Sequence, residues 1–507
     1  MASLNKFLDD PTRQVNYHES YSNSFFSLPA SPEYSMSETC LASLIRSIGS
    51  GVRENEVYSR NSQEGSTIRT TLEKRWREFQ HQNRIGDNLF SFLKSPLAGQ
   101  SLKNPAKYLN LYPLIPQFSY ISNSPRFSDS TPWNPSTFIK GMIASGSINK
   151  ENAKNTWYTI FECLSVTEED DLWARFLMNI FNLDAIEDEV FNWEFKEFQY
   201  EEFAKFKIDD TAFNKYDFPA KTFCQKISEI IALKRMTTRK QWLTMFESFL
   251  RVSMGTHLIW VCEINKRLWQ LIRDEDSEYK EYSYNDIVDN LFKDFRSFEL
   301  DSKCDSVFRR ICGDYAEARI GINLLIHYCL DKFNVKPNSG INNLNSLVDW
   351  INEIKPLISR KDTREELRFK ILNLLGQNPS IEHGRSSFSK NMFEFLRHTL
   401  GQKATIESKD KSYDQCYWVV KKGISRNAPW IVKLGPVSIL TIVAISLNAK
   451  SGTATDLTYF LSKLVIVLNP DKILNTSLGT SLVDLGLTND NPDGEKGIII
   501  LNPFYQA

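Results

Sequence analysis

The stretch TRKQWLTMFESFLRVSMGTHLIWVCEINKRLWQLIRD, from Thr238 to Asp274, decides the fold class. Apolar side chains recur in it every three or four residues: Trp242, Met245, Phe246, Phe249 and Leu250, then Leu258, Ile259, Val261, Ile264, Leu268 and Leu271. A helix places residues at that spacing on one face. Gly255 is the one expected break. The stretches 284–299, 304–333, 342–358 and 362–376 repeat the style. Residues 136–400 are therefore expected to form a helical body, and the chain to be mainly α, a multi-domain helical scaffold. No repeat of fixed length is evident, although the helix–break–helix rhythm is compatible with an irregular solenoid.

Upstream of this body, six prolines (Pro105, Pro113, Pro116, Pro125, Pro132 and Pro135) rule out a continuous helix over 105–135. Tyr108, Tyr112, Phe118, Tyr120 and Trp133 interleave with them, so the segment reads as a connector that packs on its neighbours, with a boundary near 135. Residues 1–104 divide into an arm over 1–35 without steady period and a small helical or winged-helix module. Leu41, Leu44, Ile45 and Ile48 mark its first helix, with Ser37 or Thr39 as cap and Gly49 as stop. TTLEKRWREFQHQ marks its second.

The chain has 507 residues, with 61 Lys+Arg against 62 Asp+Glu. That balance argues against a basic nucleic-acid coat protein and an acidic tail. Charge is nevertheless uneven: 14 acidic and 4 basic residues fall between Glu168 and Asp210, against 16 basic and 8 acidic between Arg360 and Lys450. The eight cysteines include no CxxC pair, which predicts reduced thiols in a cytoplasmic protein. The start MASLNKFLDD lacks the pattern of a secretory leader. The longest uncharged apolar stretch, Leu434 to Ala449, is 16 residues, short of the ~20 that span a bilayer. It reads as a buried core segment.

The C-terminal unit, 401–507, begins with a basic segment and continues after PWIVKLGP with three short helices and a hairpin. VSILTIVAISL makes the first helix, Thr453 or Thr455 caps a second, and Asp471 caps a third, KILNTSLGTSLVDLG, burying Ile473, Leu474, Leu478, Leu482 and Leu485. A strand at Leu487–Thr488, the turn NDNPDGEKG and the strand IIIL close the unit. Helix, helix, helix, strand, turn, strand over Pro436 to Phe504 resembles a winged-helix domain. Such domains often set the third helix in the major groove of duplex DNA and the wing along its backbone. The resemblance implies a third-helix face of Lys472, Asn475, Thr476, Thr480 and Ser481, and a wing tip of Asn491, Asp493, Glu495 and Lys496. This surface is poor in positive charge, whereas phosphate contacts supply most DNA affinity. Lys403, Lys409, Lys411, Lys421, Lys422 and Arg426 are expected to supply it, with Tyr413, Trp418 and Trp430 either stacking bases or lying in the core.

Catalytic patterns are sparse. Glu407 and Lys409 have the Glu-x-Lys spacing of metal-dependent nucleases but lack an upstream strand Asp; a charged loop is the plainer reading. Arg251 and His257 resemble the Arg/His pairs of helical ribonucleases, and a buried structural pair is the plainer reading there. The six histidines do not cluster with Cys or carboxylates at metal spacing, so neither metal nor cofactor is expected. Glu168-Glu169-Asp170-Asp171 suits a helix N-terminus. No nucleotide-binding or serine-hydrolase motif is present.

Large helical chains with this kind of tail, NPDGEKGIIILNPF included, look like accessory proteins of bacterial antiphage defence islands, Druantia-type systems among them. The expectation is a non-enzymatic adaptor subunit of a DNA-handling, antiviral complex. Its acidic 168–210 segment would dock other protein subunits, and its basic C-terminal region would contact duplex DNA; catalysis would lie in a partner. The alternatives are a protein–protein scaffold without nucleic-acid contact and, less favoured, a nuclease.

Overall fold

A computed structural model describes residues 2–24, 26–28, 37–49, 74, 77–82, 86, 112–120, 135–180, 193–203, 210–273, 281–293, 295, 298–337, 341, 343–377, 387–402, 414–423, 425, 427–447, 449–489 and 498–505. Residues 70–73, 75 and 76 of TTLEKRWREFQHQ, the acidic run 181–192, the segment 403–413 and the turn 490–497 lie outside them. The protein is mainly α. Helices Ala2–Asp9 (α1) and Ser37–Gly49 (α2) come first, then Pro135–Gly146 (α3), Lys150–Leu164 (α4), Leu172–Ile180 (α5) and Pro219–Ala232 (α6). The 35-residue helix Arg239–Arg273 (α7) forms the axis. Tyr284–Phe292 (α8), Asp305–Phe333 (α9), Leu344–Ile358 (α10), Lys361–Gln377 (α11) and Ser387–Leu400 (α12) complete the body. Among the described residues no helix is long and apolar enough to cross a membrane.

Within the periodic stretch 238–274, Arg239–Arg273 is one unbroken helix. Gly255 does not interrupt it; a Cβ there would lie 2.7 Å from the Leu400 side chain, so the glycine lets the end of α12 press against α7. Gly321 plays the same part in α9, where the Trp269 ring occupies the space of a side chain. α7 is also buried on more than one face: Glu247, Arg251, His257 and Asn265 are as enclosed as its leucines. A helix surrounded on all sides must satisfy its polar groups internally.

Two arginines of α7 do this by clamping distant chain segments. Arg239 donates from Nε to the Leu114 carbonyl at 2.6 Å, from Nη1 to Ser165 O and Asp170 Oδ1, each at 3.1 Å, and from Nη2 to Leu164 O. It thereby joins the proline-rich connector to the end of α4. Within that connector Tyr112, Leu114, Ile115 and Phe118 are buried, in keeping with a segment that packs on its neighbours. Tyr108 and Trp133 lie outside the described residues. Asp170 is a buried ion-pair partner rather than a solvated helix-start carboxylate. Asp171 takes the capping role, accepting from the Ala174 amide of α5 and the Arg239 amide that starts α7.

Arg251 donates to Thr399 O at 2.7 Å, Asp414 Oδ2 at 2.8 Å and Gly401 O at 2.9 Å, closing the C-terminus of α12. The N-terminal arm is seated by one face of α1, carrying Leu4, Phe7 and Leu8, and beyond it by single aromatics. Phe7, Tyr17, Tyr21 and Phe26 are buried, and the Tyr21 hydroxyl donates to Asn265 Oδ1 of α7.

The C-terminal unit comprises Pro436–Ser446 (α13), Ala454–Lys463 (α14) and Ser477–Asp484 (α15). Seven short strands occur among the described residues: Phe298–Glu299 (β1), Val419–Lys421 (β2), Trp430–Val432 (β3), Ser451–Thr453 (β4), Ile466–Val467 (β5), Thr488–Asn489 (β6) and Ile499–Leu501 (β7). β4, β7 and β6 form an antiparallel sheet in that order, with Gly452 and Thr488 both facing Ile500. β5 instead pairs in parallel with β1 of the body, and β2 and β3 form a hairpin. α13 is buried as expected, and Ser438 bonds Ser248 of α7 at 2.9 Å. Thr453, not Thr455, caps α14, in a capping box with Asp456.

The third helix differs from expectation. Asp471 does not cap it. Asn469 caps a 3-10 turn, Pro470–Asn475, and Thr476 then caps α15 by accepting from the Gly479 amide. Splitting the helix leaves Leu474 and Leu485 exposed while Ile473, Leu478 and Leu482 stay buried.

Candidate nucleic-acid interface

The expected DNA-contacting residues fall into two groups. Lys421 ends β2, is half-buried and pairs in register with Trp430; Lys422 follows it, exposed, with its amide on the Pro429 carbonyl. Arg426 and Lys496 lie outside the described residues, as do Lys403, Lys409, Lys411 and Tyr413. Trp418 is buried, donating from Nε1 to Ser248 O at 3.1 Å, so it is core rather than a base-stacking platform. Trp430 is half-buried against Gly401, where a Cβ would lie 2.8 Å from its ring.

The second group is α15 and its preceding turn. Lys472 and Asn475 are exposed on the 3-10 turn, not on the helix. Thr476 spends its hydroxyl on the cap and on Ile473 O at 2.6 Å. Thr480 is exposed, and its hydroxyl donates to Thr476 O at 3.2 Å. The side chains standing beside it are Val483, 54% exposed, and Asp484, with Leu474 and Leu485 at either end.

One short turn of the body governs both groups. Asp301, in the left-handed region at φ 61, donates its amide to Val432 O of β3 at 2.8 Å. Its carboxylate accepts from the Ser477 amide at 2.7 Å. The first turn of a helix carries free amides and a partial positive charge, the feature that would meet a phosphate. In α15 a carboxylate of the same chain already occupies it.

Of the other basic residues of 360–450, Arg397 of α12 lies over the Trp430 ring, 6.0 Å from its centroid, whereas those of α11 do not join the patch. Glu366 of α11 accepts from Tyr328 at 2.6 Å and pairs with Lys332, near the C-terminal end of α9. The hairpin sits at the other end, where the Trp430 amide donates to Asp305 Oδ2 at 2.7 Å. The α9 axis between Asp305 and Lys332 is about 40 Å long, which sets the α11 cations far from the hairpin lysines.

Glu407 and Lys409 lie outside the described residues. Arg251 is fully enclosed by the carbonyls and carboxylate named above. His257 is buried between Phe138 and Trp260, with ring centroids at 5.6 and 5.5 Å. Burial pushes its imidazole down to about 3, so the ring is neutral at physiological pH. This places the Arg/His pair in the packed core. Neither a family model nor a curated protein matches the chain.

Proposed function

We propose that the protein is a non-enzymatic helical scaffold whose outward faces dock other proteins, with a winged-helix unit at its C-terminus. The winged-helix reading draws support from the order α13, β4, α14, α15, β6, β7, with β5 inserted after α14 and paired to β1 of the body, and from the last strand lying central in its sheet. The observation that carries the protein-docking reading is the state of α15. Its N-terminus is held by Asp301, and the outward side of α15 together with its preceding 3-10 turn presents Leu474, Val483 and Leu485 with Asp471, Lys472 and Asp484. Apolar side chains in a field without net positive charge suit a protein surface better than phosphates. The resemblance to accessory proteins of antiphage defence islands gives the assembly its class: an antiviral complex in which a partner carries the chemistry.

A second reading, duplex DNA contact, has one observation in its favour. The Asp301 turn brings the Lys421–Lys422 hairpin and the start of α15 onto the same support. Titration of a labelled duplex with the full chain, at about 50 and 200 mM salt, separates the two. Protein docking predicts no saturable binding at either. Saturable binding that falls steeply with salt, and that Lys421→Glu with Lys422→Glu abolishes, would establish the DNA reading instead.

A further inference from the structure

Helix α4 and the segment 193–201, extended until a short helix begins at Tyr200, run antiparallel as a zipper of side chains. Lys150 pairs with Glu201 at 2.9 Å and Lys154 with Glu197. One turn further on the partners become aromatic. Tyr158 meets Phe195 edge-on at 5.0 Å, Phe161 meets Phe195 at 5.2 Å, and Phe161 stacks on Trp193 at 5.0 Å. The Trp193 indole then donates to Ser165 Oγ at 2.7 Å. Four rings in mutual contact are normally turned inward. Here Tyr158 is 45% exposed and Phe195 36% exposed, although most aromatics among the described residues are buried.

The rim of this ladder is anionic. Glu162 is exposed one turn beyond Tyr158 on α4, and the facing segment carries exposed Glu194 and, further along, Glu202; among the described residues none of the three makes an ion pair. The nearby Glu162 carboxylate raises the Tyr158 phenol above its ordinary pKa. The base of the ladder is rigid. The Glu194 and Lys196 amides donate to Gly49 and Ile48 carbonyls, capping the C-terminus of α2, and the Trp157 indole donates to the Lys196 carbonyl. A fixed ring face beside carboxylates is preorganised, so little ordering entropy is lost on binding.

The geometry points to an interaction surface: the Tyr158–Phe161–Trp193–Phe195 ladder docks an arginine-bearing segment of a partner protein. Arginine fits both halves of the site. Its planar guanidinium stacks on ring faces while its N–H donors reach carboxylates, whereas a lysine ammonium is more strongly hydrated and cannot stack. Nucleic acids and anionic membranes would be repelled by the same carboxylates. The inference rests on reading the chain as a protein-docking scaffold and names one partner chemistry for it.

The test uses the full chain with labelled oligo-arginine and oligo-lysine peptides of equal length as probes. Oligo-arginine is expected to bind about fivefold more tightly than oligo-lysine. Tyr158→Ala with Phe195→Ala should weaken oligo-arginine about fivefold, to the level of oligo-lysine, and leave oligo-lysine nearly unchanged, while Tyr158→Phe retains wild-type behaviour. Glu162→Gln with Glu194→Gln should weaken both peptides and serves as the control that keeps every ring in place. Equal binding of the two peptides, unaffected by ring loss, would reduce the surface to a diffuse acidic field. Absence of binding overturns the proposal, and so does self-association of the chain that Phe195→Ala abolishes, which would assign the ladder to a second copy. DNA binding in the titration above would sink the scaffold reading without altering the arginine-to-lysine ratio, so the two failures are distinguishable.

Discussion

Helices α7 and α4 both carry charged groups beside aromatic rings, yet they place them on opposite sides of the protein surface. In α7, Arg239 and Arg251 are buried with Asp170 and Asp414 at 1% exposure or less. In α4, Lys150 and Lys154 meet Glu201 and Glu197 in the open, with side chains between 32% and 76% exposed. Buried ions cost several kcal/mol to desolvate and persist only when every donor and acceptor is matched. Exposed pairs are screened by water and contribute little to stability. The α7 charges therefore fix how the body is assembled, and the α4 charges are free to shape what the surface attracts.

That contrast is sharpest at Arg251. Arg251→Ala would strand the Asp414 carboxylate and the nearby Glu247, whose carboxyl burial already raises above the usual range. A loss of about 3–5 kcal/mol is expected, read as a lowered midpoint in urea. A loss under about 1 kcal/mol would mean that water reaches these groups.

His257 gives an effect of similar size that appears only in acid. Its folded pKa, about 3, lies below the unfolded value of 6.5, so the unfolded state takes up the proton first. Stability from this residue is complete above pH 6.5 and declines as pH falls toward 3, by about 4–5 kcal/mol in all. His257→Phe should flatten the fall in thermal midpoint between those limits relative to wild type. Parallel pH curves for the two proteins would contradict the burial of a neutral ring.

Lys154→Ala should change stability least, by about 0.5 kcal/mol or less, because its pair with Glu197 is exposed. A loss comparable to that of Arg251 would erase the distinction between the two helices.

Much of the body was legible from local pattern, and the misses share one cause. The three- and four-residue spacing from Trp242 to Leu271 suffices to place α7, because helical periodicity is carried within the segment itself. Gly255 reads as a break only until Leu400, remote in sequence, is seen to need its space. Asp471 was the wrong cap because Asn469 and Thr476 compete with it, and Pro470 suits the first position of a turn opening at Asn469. Strand β4 escaped notice because Ser451–Thr453 carries no alternation; its pairing with β7 defines it.

The site was less legible. A helix puts Arg251 and His257 on one segment, but burial, a property of the whole fold, makes one a clamp and the other core. Acidic residues are dense over 168–210, whereas Trp193 and Phe195 within it stand at the two-residue spacing of an extended segment and carry no helical period. Their partners Tyr158 and Phe161 come from another element, so the ladder exists only in three dimensions.

The direct test of a protein-docking scaffold is hydrogen exchange of the full chain with and without excess duplex DNA, followed at residues 470–486 and at the β1–β5 pair. With α15 held by Asp301, the Ser477 amide and both strands should exchange at the same rate in either sample. A DNA-dependent change at Ser477, with loosening of β1 from β5, would show the third helix leaving the body for a groove and would contradict the scaffold reading.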